Sequence, residues 1–500
     1  MRRGRSAAGL SVQAQADPAQ SEIQEYLAVR RQRRRLFPRA ALVGLLAGVI
    51  AVAFRAVLAA GDSLRGAMLV WAHQFPLGGW LFPMGFSALG AALSVVLVHR
   101  FAPEAAGSGI PHLEAVLHRY REFRWQRILP VKFFGGALAL GAGLALGREG
   151  PTVQMGGTAG AAVADWLKAG TRERLTLIAA GAGAGLAAAF DAPLAGVIFV
   201  LEEVQKDFRQ AVFGAAFIAA AVAAVVTRFS SGQLPDFRIP SYPVPALAAL
   251  PAFAVLGLLA GGLGVWFAPG AVGGGHALAE TFLDGHAALA AIPVWFLVRF
   301  VLSQASYGTG APGGIFAPLL VLGALLGLGV GEAAHGLFPR LVPIPAIFAV
   351  VGMAAYFTAI VRAPLTGVVL IIEMTGNYAQ MLPLLVACFC AYAAAEGLGE
   401  LSIYESLLER DLRRGGTPAQ PKDPLVLELE VEPGSPYDGR EVRALGLPPG
   451  CILVSCRAGS REWLPTATTR LEAHVRITAL VGSEAEGAVA ALRGGCTSAG

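Results

Sequence analysis

Three short segments rich in glycine and proline interrupt apolar stretches of the sequence in the same manner. They are Gly107-Ser108-Gly109-Ile110-Pro111, Gly147-Arg148-Glu149-Gly150-Pro151 and Gly314-Ile315-Phe316-Ala317-Pro318. Proline is well tolerated in the first turn of a helix, where its missing N–H has no intrahelical acceptor to lose. We therefore predict that each segment starts a helix inside an apolar region. The unpaired amides and the positive end of the helix dipole would then face an anion.

The same residues indicate how tightly an anion would be held. A full Lys or Arg charge in a dry pocket would bind a small anion too tightly to release it, whereas the partial charges of amides and a hydroxyl permit passage. Ser108 offers the hydroxyl, and the amides of Ile315 and Phe316 offer further donors. The alternative interpretation is three helix kinks without a ligand.

Glu149 is the acidic residue placed beside one of these helix starts, next to Arg148 in an otherwise apolar and glycine-rich stretch. A carboxylate there costs several kcal/mol unless it is paired, hydrated or protonated. Its ionised form can occupy an anion site made by helix amides, and its protonated form can leave that site. Glu149 is thus a candidate for both gate and proton acceptor. The alternatives are a salt bridge with Arg148 or a helix N-cap.

Two further carboxylates, Glu202 and Glu203, end an apolar run and are followed by Lys206, Asp207 and Arg209. Taken alone, this pattern indicates a solvated helix end.

The remaining chemistry-bearing residues indicate neither a metal site nor an enzyme. The five cysteines, none of them in a metal-binding spacing, are Cys388, Cys390, Cys451, Cys456 and Cys496. We expect no disulfide, no metal and no cofactor. The sequence also has no recognisable nucleophile–base pair or nucleotide-binding loop.

The elements that would position these residues are membrane helices. Only 15% of the 500 residues are charged, against about 25% in a soluble domain. Apolar runs near 20 residues long recur at Leu42–Ala60, Leu81–Val98, Leu129–Leu146, Val212–Val226, Leu247–Phe267, Ile315–Val330 and Met381–Ala395. They do not alternate in polarity, so they indicate helices, and the 63 glycines suit close helix packing. The fold class is an all-α polytopic membrane protein.

The N-terminal arm, residues 1–38, is polar and basic. A helix predicted over Asp17–Arg35 ends in the cluster Arg30, Arg31, Arg33, Arg34 and Arg35, and a second basic loop contains Arg119, Arg121, Arg124 and Arg127. No apolar stretch precedes residue 40, so we expect no cleavable signal peptide. Basic flanks favour the cytoplasmic side. We interpret the clusters, and the net charge of +5, as topology signals rather than nucleic-acid binding.

The membrane part contains an internal repeat. The segment Phe190–Glu203, FDAPLAGVIFVLEE, corresponds to Val361–Met374, VRAPLTGVVLIIEM, at an offset of 171. A second set, Gly147, Pro151, Gly156 and Gly160, recurs as Gly314, Pro318, Gly323 and Gly327 at an offset of 167. Many transporters are built from two such halves, with broken helices meeting at their interface. We expect the halves to be inverted.

The chain therefore divides into the arm (1–38), a membrane domain (39–412), a linker (413–423) and a C-terminal domain (424–495). The last part alternates polar and apolar residues near 425–431, 452–454 and 475–481, with turn signals between these stretches. This pattern predicts short strands in a small soluble α+β domain.

The three helix-start segments, together with the repeat segments and Glu373-Met374-Thr375, resemble the CLC family of chloride channels and chloride/proton antiporters. The resemblance covers about residues 39–412. It implies tilted, broken helices in two inverted halves, and a homodimer with one anion pathway in each subunit.

The resemblance also implies roles for individual residues. Ser108 is similar to the family's chloride-binding serine, and Ile315 and Phe316 to the residues whose amides face the central anion. Glu149 resembles the external gating glutamate. Tyr404, in a run that precedes a short helix, resembles the tyrosine whose hydroxyl completes the central site.

Glu203 aligns with the internal glutamate that antiporters of the family use to relay protons. The resemblance thus favours chloride/proton exchange, with chloride and protons as transported partners. Chloride is favoured because Ser108 stands where nitrate-preferring relatives carry proline, and because Phe316 is retained, unlike in fluoride exporters. The alternatives are a passive voltage- or pH-gated chloride channel and a non-transporting membrane sensor.

The C-terminal pattern resembles the TrkA C-terminal domain, through Glu432-Pro433-Gly434-Ser435-Pro436, Gly439 and the turn Leu445–Gly450. It suggests a dimerising module or one that senses a small ligand. We expect an integral protein of a bacterial plasma membrane, with both termini in the cytoplasm.

Overall fold

The computed structural model describes residues 18–75, 79, 81–206, 210–232, 292–414, 425–458, 461–482 and 487–497. The chain forms two compact units, one of residues 1–114 and 123–407 and the other of residues 115–122 and 408–500. The predicted span Leu247–Phe267 lies outside the described residues, as does Asp17.

Helices make up the membrane part. In chain order they are α1 (Pro18–Ala72), α2 (Leu81–Phe101), α3 (Ile110–Leu117), α4 (Trp125–Gly141), α5 (Glu149–Trp166), α6 (Thr171–Phe190), α7 (Pro193–Phe199), α8 (Gln210–Ser231), α9 (Ile292–Gly308), α10 (Phe316–Leu337), α11 (Ala346–Val361), α12 (Pro364–Thr375), α13 (Met381–Gly397) and α14 (Ile403–Arg414). One π-helical turn, Val200–Val204, extends α7. The fold is the predicted all-α architecture.

Six of the seven predicted spans fall in helices, and one of the six differs at its end. The predicted Leu129–Leu146 span is too long, because α4 ends at Gly141 and the chain turns through Gly143, whose φ is +92°. The predicted arm boundary at residue 38 falls inside α1, which continues through Pro38.

Several central helices were not predicted as spans. Helices α5, α6 and α11 are buried along almost their whole length. Alanine and glycine dominate α5 and α6, and they bring the helix backbones together. A Cβ atom on Gly156 of α5 would lie 2.1 Å from the carbonyl oxygen of Gly181 of α6. The corresponding contact between α10 and α11 pairs Gly323 with Gly352, at 2.5 Å.

The repeat is visible in a pair of reciprocal helix caps. The Glu202 carboxylate accepts hydrogen bonds from the amides of Leu365 and Thr366 at 3.1 and 2.8 Å, at the start of α12. The Glu373 carboxylate accepts the equivalent bonds, also at 3.1 and 2.8 Å, from two amides at the start of α7. Each half of the repeat therefore satisfies a helix start of the other half.

A second reciprocal contact lies where the first turns of α5 and α10 begin. Gly147 and Gly314 form an antiparallel bridge, in which the two N–H···O distances are 2.9 and 2.6 Å. The two glycines are equivalent in the repeat, and the two segments that contain them run antiparallel. A local two-fold axis between the glycines therefore relates the two segments. The expected inversion of the two halves is confirmed.

The C-terminal unit contains a four-stranded antiparallel sheet in the order β1-β4-β2-β3. Its strands are β1 (Leu425–Glu430), β2 (Cys451–Ala458), β3 (Arg461–Trp463) and β4 (Arg476–Val481), and the helix α15 (Ala488–Cys496) follows them. The three predicted strands are present, whereas β3 and α15 were not predicted.

The core of this sheet domain includes Cys456 and Cys496 beside Ile477 and Leu492. Burial raises the pKa of the Cys496 thiol to about 11. The thiol therefore stays protonated at neutral pH and behaves as a small packing residue. Across the described residues, no group of three or more His, Cys, Asp or Glu side chains is placed to hold a metal ion.

Removal of one reciprocal cap should loosen the contact between the halves. We expect Glu373→Ala to lower the free energy of unfolding by about 1 to 2 kcal/mol, because two amides at the start of α7 lose their acceptor. Thermal unfolding of the purified protein, followed by intrinsic fluorescence, would measure the change. Glu373→Gln keeps a carbonyl acceptor and should lose less. An alanine variant as stable as the wild type would contradict the role of the cap.

Candidate functional site

The three predicted helix starts are present where the sequence placed them. Helices α3, α5 and α10 begin at Ile110, Glu149 and Phe316, and each has its proline within the first three residues. The amides of these first turns have no acceptor in their own helix. The site is built where the starts of α5 and α10 meet.

The loop before α3 holds Ser108 in a buried position. Gly107 and Gly109 have φ values of +57° and +81°, which only glycine adopts without strain. A Cβ atom on Gly109 would lie 2.2 Å from the Gln154 side chain, so no other residue fits there. The buried Lys132 ammonium donates to the carbonyl oxygen of Gly107 at 2.7 Å. The Ser108 side chain is 1% exposed.

Ser108 meets Tyr404 and the start of α5. The Tyr404 hydroxyl lies beside the Ser108 side chain, although the two do not have the geometry of an ordinary hydrogen bond. Both hydroxyls are buried and have no hydrogen-bond partner among the described residues. A Cβ atom on Gly150 would lie 2.6 Å from Ser108 Oγ. Two buried hydroxyls thus remain able to donate next to a helix start.

Tyr404 lies in the first turn of α14, not before the helix as the sequence suggested. A reciprocal cap fixes this turn. The Glu405 amide donates to Ser402 Oγ at 3.2 Å, and the Ser402 amide donates to the Glu405 carboxylate at 3.3 Å. This capping box, readable as Ser-x-x-Glu in the sequence, positions Tyr404.

The Glu149 carboxylate extends from the first residue of α5 to the start of α10. Its side chain is fully buried, and Oε2 lies 3.4 Å from the Ala317 amide of α10, which donates to it. The predicted salt-bridge alternative is weak in the structure. Arg148 Nε lies 4.0 Å from Glu149 Oε1, too far for a hydrogen bond, and Arg148 donates to the Ala189 carbonyl instead. Glu149 is also no cap of its own helix, because its amide partner belongs to α10.

Phe316 is held by a cluster of aromatic rings that the sequence analysis missed. Its ring centroid lies 4.4 Å from that of Phe357, 5.4 Å from Phe190 and 5.6 Å from Phe199. These rings come from α11, α6 and α7, and they fix the first residue of α10. No local pattern links the four residues, although Phe190 opens one of the repeat segments.

Glu203 does not lie at a solvated helix end, so that interpretation was wrong. Its side chain is 3% exposed, and its Oε1 finds no hydrogen-bond partner within the described part of the chain. Glu114, Lys206 and Glu405 lie close enough to interact with it electrostatically. The Tyr404 hydroxyl is within electrostatic range of both Glu203 and Glu149. The structure therefore brings the two predicted carboxylates and the hydroxyls into one buried region.

The fold and this site define an integral membrane protein built on an inverted repeat of broken helices. Four helices of the described part are long and apolar enough to cross a membrane: Arg34–Ala72, Val212–Ser230, Phe316–Leu337 and Tyr378–Gly397.

Comparison with known proteins identifies the family. Residues 90–270 and 262–396 match the family model described as voltage gated chloride channel, and residues 426–494 match the TrkA-C domain model. The chain is 42% identical over 416 residues to the H+/Cl− exchange transporter ClcA of Vibrio parahaemolyticus, a match that covers 75% of this chain and 89% of that protein. It is 41% identical over 414 residues to ClcA of Vibrio cholerae, covering 74% and 88%.

A solved structure of a slow cyanobacterial Cl−/H+ antiporter superimposes with a TM-score of 0.72 at 35% identity, covering 76% of this chain and 98% of that one. The chain belongs to the voltage-gated chloride channel (CLC) family and carries a TrkA-C domain at its C-terminal end.

The close approach of Ser108 to α5 can be tested by adding one methyl group. We expect Gly150→Ala to weaken chloride binding roughly tenfold, because the new methyl group would lie 2.6 Å from Ser108 Oγ and 2.9 Å from backbone atoms of Ser108 and Gly314, and would displace a hydroxyl that would donate to a bound anion. Isothermal titration of the purified protein with chloride would measure the affinity.

The control is Gly336→Ala, a helical glycine with no atom within 4 Å of the added carbon. It should bind as the wild type does. Tyr404→Phe removes the second hydroxyl without adding an atom, and it should also weaken binding. If Gly150→Ala and Tyr404→Phe both bind chloride with wild-type affinity, the expectation that the Ser108 and Tyr404 hydroxyls contribute to chloride binding is wrong.

Proposed function

We propose that this protein is a chloride/proton antiporter in which Glu149 is the external gate and proton acceptor. The observation that carries the proposal is the contact of the buried Glu149 carboxylate with the Ala317 amide at the start of α10. A carboxylate in that position occupies a site that favours an anion. Chloride and the ionised side chain would therefore compete for it.

The chloride site would be formed by uncharged donors. The hydroxyls of Ser108 and Tyr404 are buried and have no partner among the described residues, so an anion would satisfy two otherwise costly donors. The amides of Ile315 and Phe316 lie at the start of α10 and supply the positive end of its dipole. Weak, distributed donors of this kind allow an anion to bind and leave again.

Protonation of Glu149 would couple the two fluxes. When the carboxylate takes up a proton it loses the charge that holds it against the amides of α10, and chloride can replace it. When chloride leaves, the ionised side chain returns. One site thus alternates between a halide and a carboxylate, and each exchange moves a proton with the side chain.

Glu203 would pass the proton between this region and the cytoplasm. It is buried, yet it lies beside Lys206, whose side chain is 37% exposed, and Glu405. A buried carboxylate without a structural role is costly in an apolar region, which favours a function in proton transfer. The relatives named H+/Cl− exchange transporter support exchange over a passive channel.

The remaining parts of the proposal concern assembly and location. We propose a homodimer with one pathway per subunit in a bacterial plasma membrane, with both termini in the cytoplasm and with no enzymatic activity. The domain limits are those of the sequence: an arm (1–38), a membrane domain (39–412) and a linker (413–423) before the C-terminal domain (424–495). That domain would bind a small ligand and regulate transport.

The first test of the proposal is proton pumping by a chloride gradient. In liposomes that contain the purified protein, an outward chloride gradient should drive protons inward against their own gradient. Glu149→Gln should abolish proton movement while chloride still crosses, because the amide cannot carry a proton. A wild-type protein that moves chloride without protons would establish the passive channel instead.

The second test addresses the internal carboxylate. We expect Glu203→Gln to reduce chloride-driven proton flux at least tenfold, because the relay loses its titratable group, while chloride flux remains. Glu332→Gln, on α10 and outside the site, is the control and should pump protons normally. Normal proton flux in Glu203→Gln would exclude the relay role without affecting the assignment of Glu149.

A further inference from the structure

Lys206 follows the π-helical turn of α7 in a backbone conformation that a lysine rarely adopts. Its φ is +51°, in the left-handed region. Such a conformation is uncommon for a residue other than glycine. Its side chain forms two ion pairs. Lys206 Nζ lies 3.5 Å from Glu114 Oε1, and it donates a hydrogen bond to the Glu405 carboxylate.

The charged groups of these ion pairs act electrostatically on the Glu203 carboxylate from several elements. Glu114 belongs to α3, Glu405 to α14, and Glu202 to the same turn as Glu203, and each disfavours a second negative charge there. Lys206 is a cation that acts electrostatically on Glu203 against these carboxylates. The hydroxyl of Tyr404 also lies within range. Lys206 therefore opposes the combined effect of three carboxylates.

The position of Glu405 is independent of this ion pair. Its carboxylate also accepts the Ser402 amide in the capping box of α14. Glutamine at this position retains that hydrogen bond, since capping boxes use either residue. The charge of Glu405 can therefore be removed while the first turn of α14 stays formed.

We propose that Lys206 is a positioning residue that sets the proton occupancy of Glu203, and that Glu114 and Glu405 hold its ammonium group in place. The inference rests on the proposed role of Glu203 as a proton carrier. A cation beside a buried carboxylate favours its ionised form, and neighbouring carboxylates favour its protonated form. The balance between them lets Glu203 both accept and release a proton in the working pH range.

The proposal predicts shifts of opposite sign from two single substitutions. Chloride-driven proton flux into liposomes is measured over a series of pH values. The quantity compared is the midpoint pH, at which the flux has declined by half on the high-pH side. Lys206→Met should move that midpoint to higher pH by on the order of one pH unit, because Glu203 then keeps its proton more strongly. Glu405→Gln should move it to lower pH, because one opposing carboxylate is lost. The double variant should lie between them.

Two matched controls separate this electrostatic role from a general disturbance. Lys168 is an exposed lysine at the end of α5 with a φ of +49°, so Lys168→Met makes the same replacement in the same backbone conformation. Glu409→Gln makes the other replacement on α14, at a residue paired with Arg413. Both controls should keep the wild-type midpoint.

Midpoints that coincide with the wild type, or that move in the same direction in both single variants, would overturn the proposal. The pH dependence of chloride flux should also be compared in proteins that carry Glu203→Gln. If Lys206→Met or Glu405→Gln still shifts that pH dependence there, the proposal is overturned, because Lys206 would then act on another group. These failures leave the proposed function intact as long as the wild type still exchanges protons for chloride. A wild-type protein without proton flux would remove the proposed function and this inference together.

Discussion

The structure depends on the meeting of two helix starts inside an apolar interior. Backbone amides cannot stay unpaired in such a place without a large cost. The Gly147–Gly314 bridge satisfies one amide from each side and sets the starts of α5 and α10 against each other. The remaining amides face a buried region that only an anion or an acceptor side chain can satisfy. The position of the Glu149 carboxylate, which accepts from the Ala317 amide, follows from this requirement.

The two halves use the same backbone arrangement for different purposes. Glu202 and Glu373 are equivalent in the repeat, and both serve as caps for the opposite half. The proposed proton carriers have no such counterparts. At an offset of 167 Glu149 corresponds to Phe316, and at an offset of 171 Glu203 corresponds to Met374. Carboxylates that hold the fold together are therefore duplicated, whereas those proposed to move protons break the symmetry.

The two buried carboxylates are accommodated by different means. Glu149 faces an amide at a helix start, a partner of partial charge that either chloride or a carboxylate can use. Glu203 experiences the full charge of Lys206, which also pairs with Glu114 and Glu405. The first arrangement suits competition between two anions. The second suits adjustment of proton affinity, because no anion has to leave.

The sequence by itself determined the helix starts, the internal repeat, most of the spans and the candidate residues Ser108 and Glu149. These features are local patterns, since proline, glycine and a lone carboxylate in an apolar run have consequences wherever they occur. Only the tertiary structure decided that Glu203 is buried. Its surroundings come from Glu114 and Glu405, which are 89 and 202 residues away in the sequence. The aromatic cluster around Phe316 was equally hidden, because burial and charge pairing depend on which distant elements pack together.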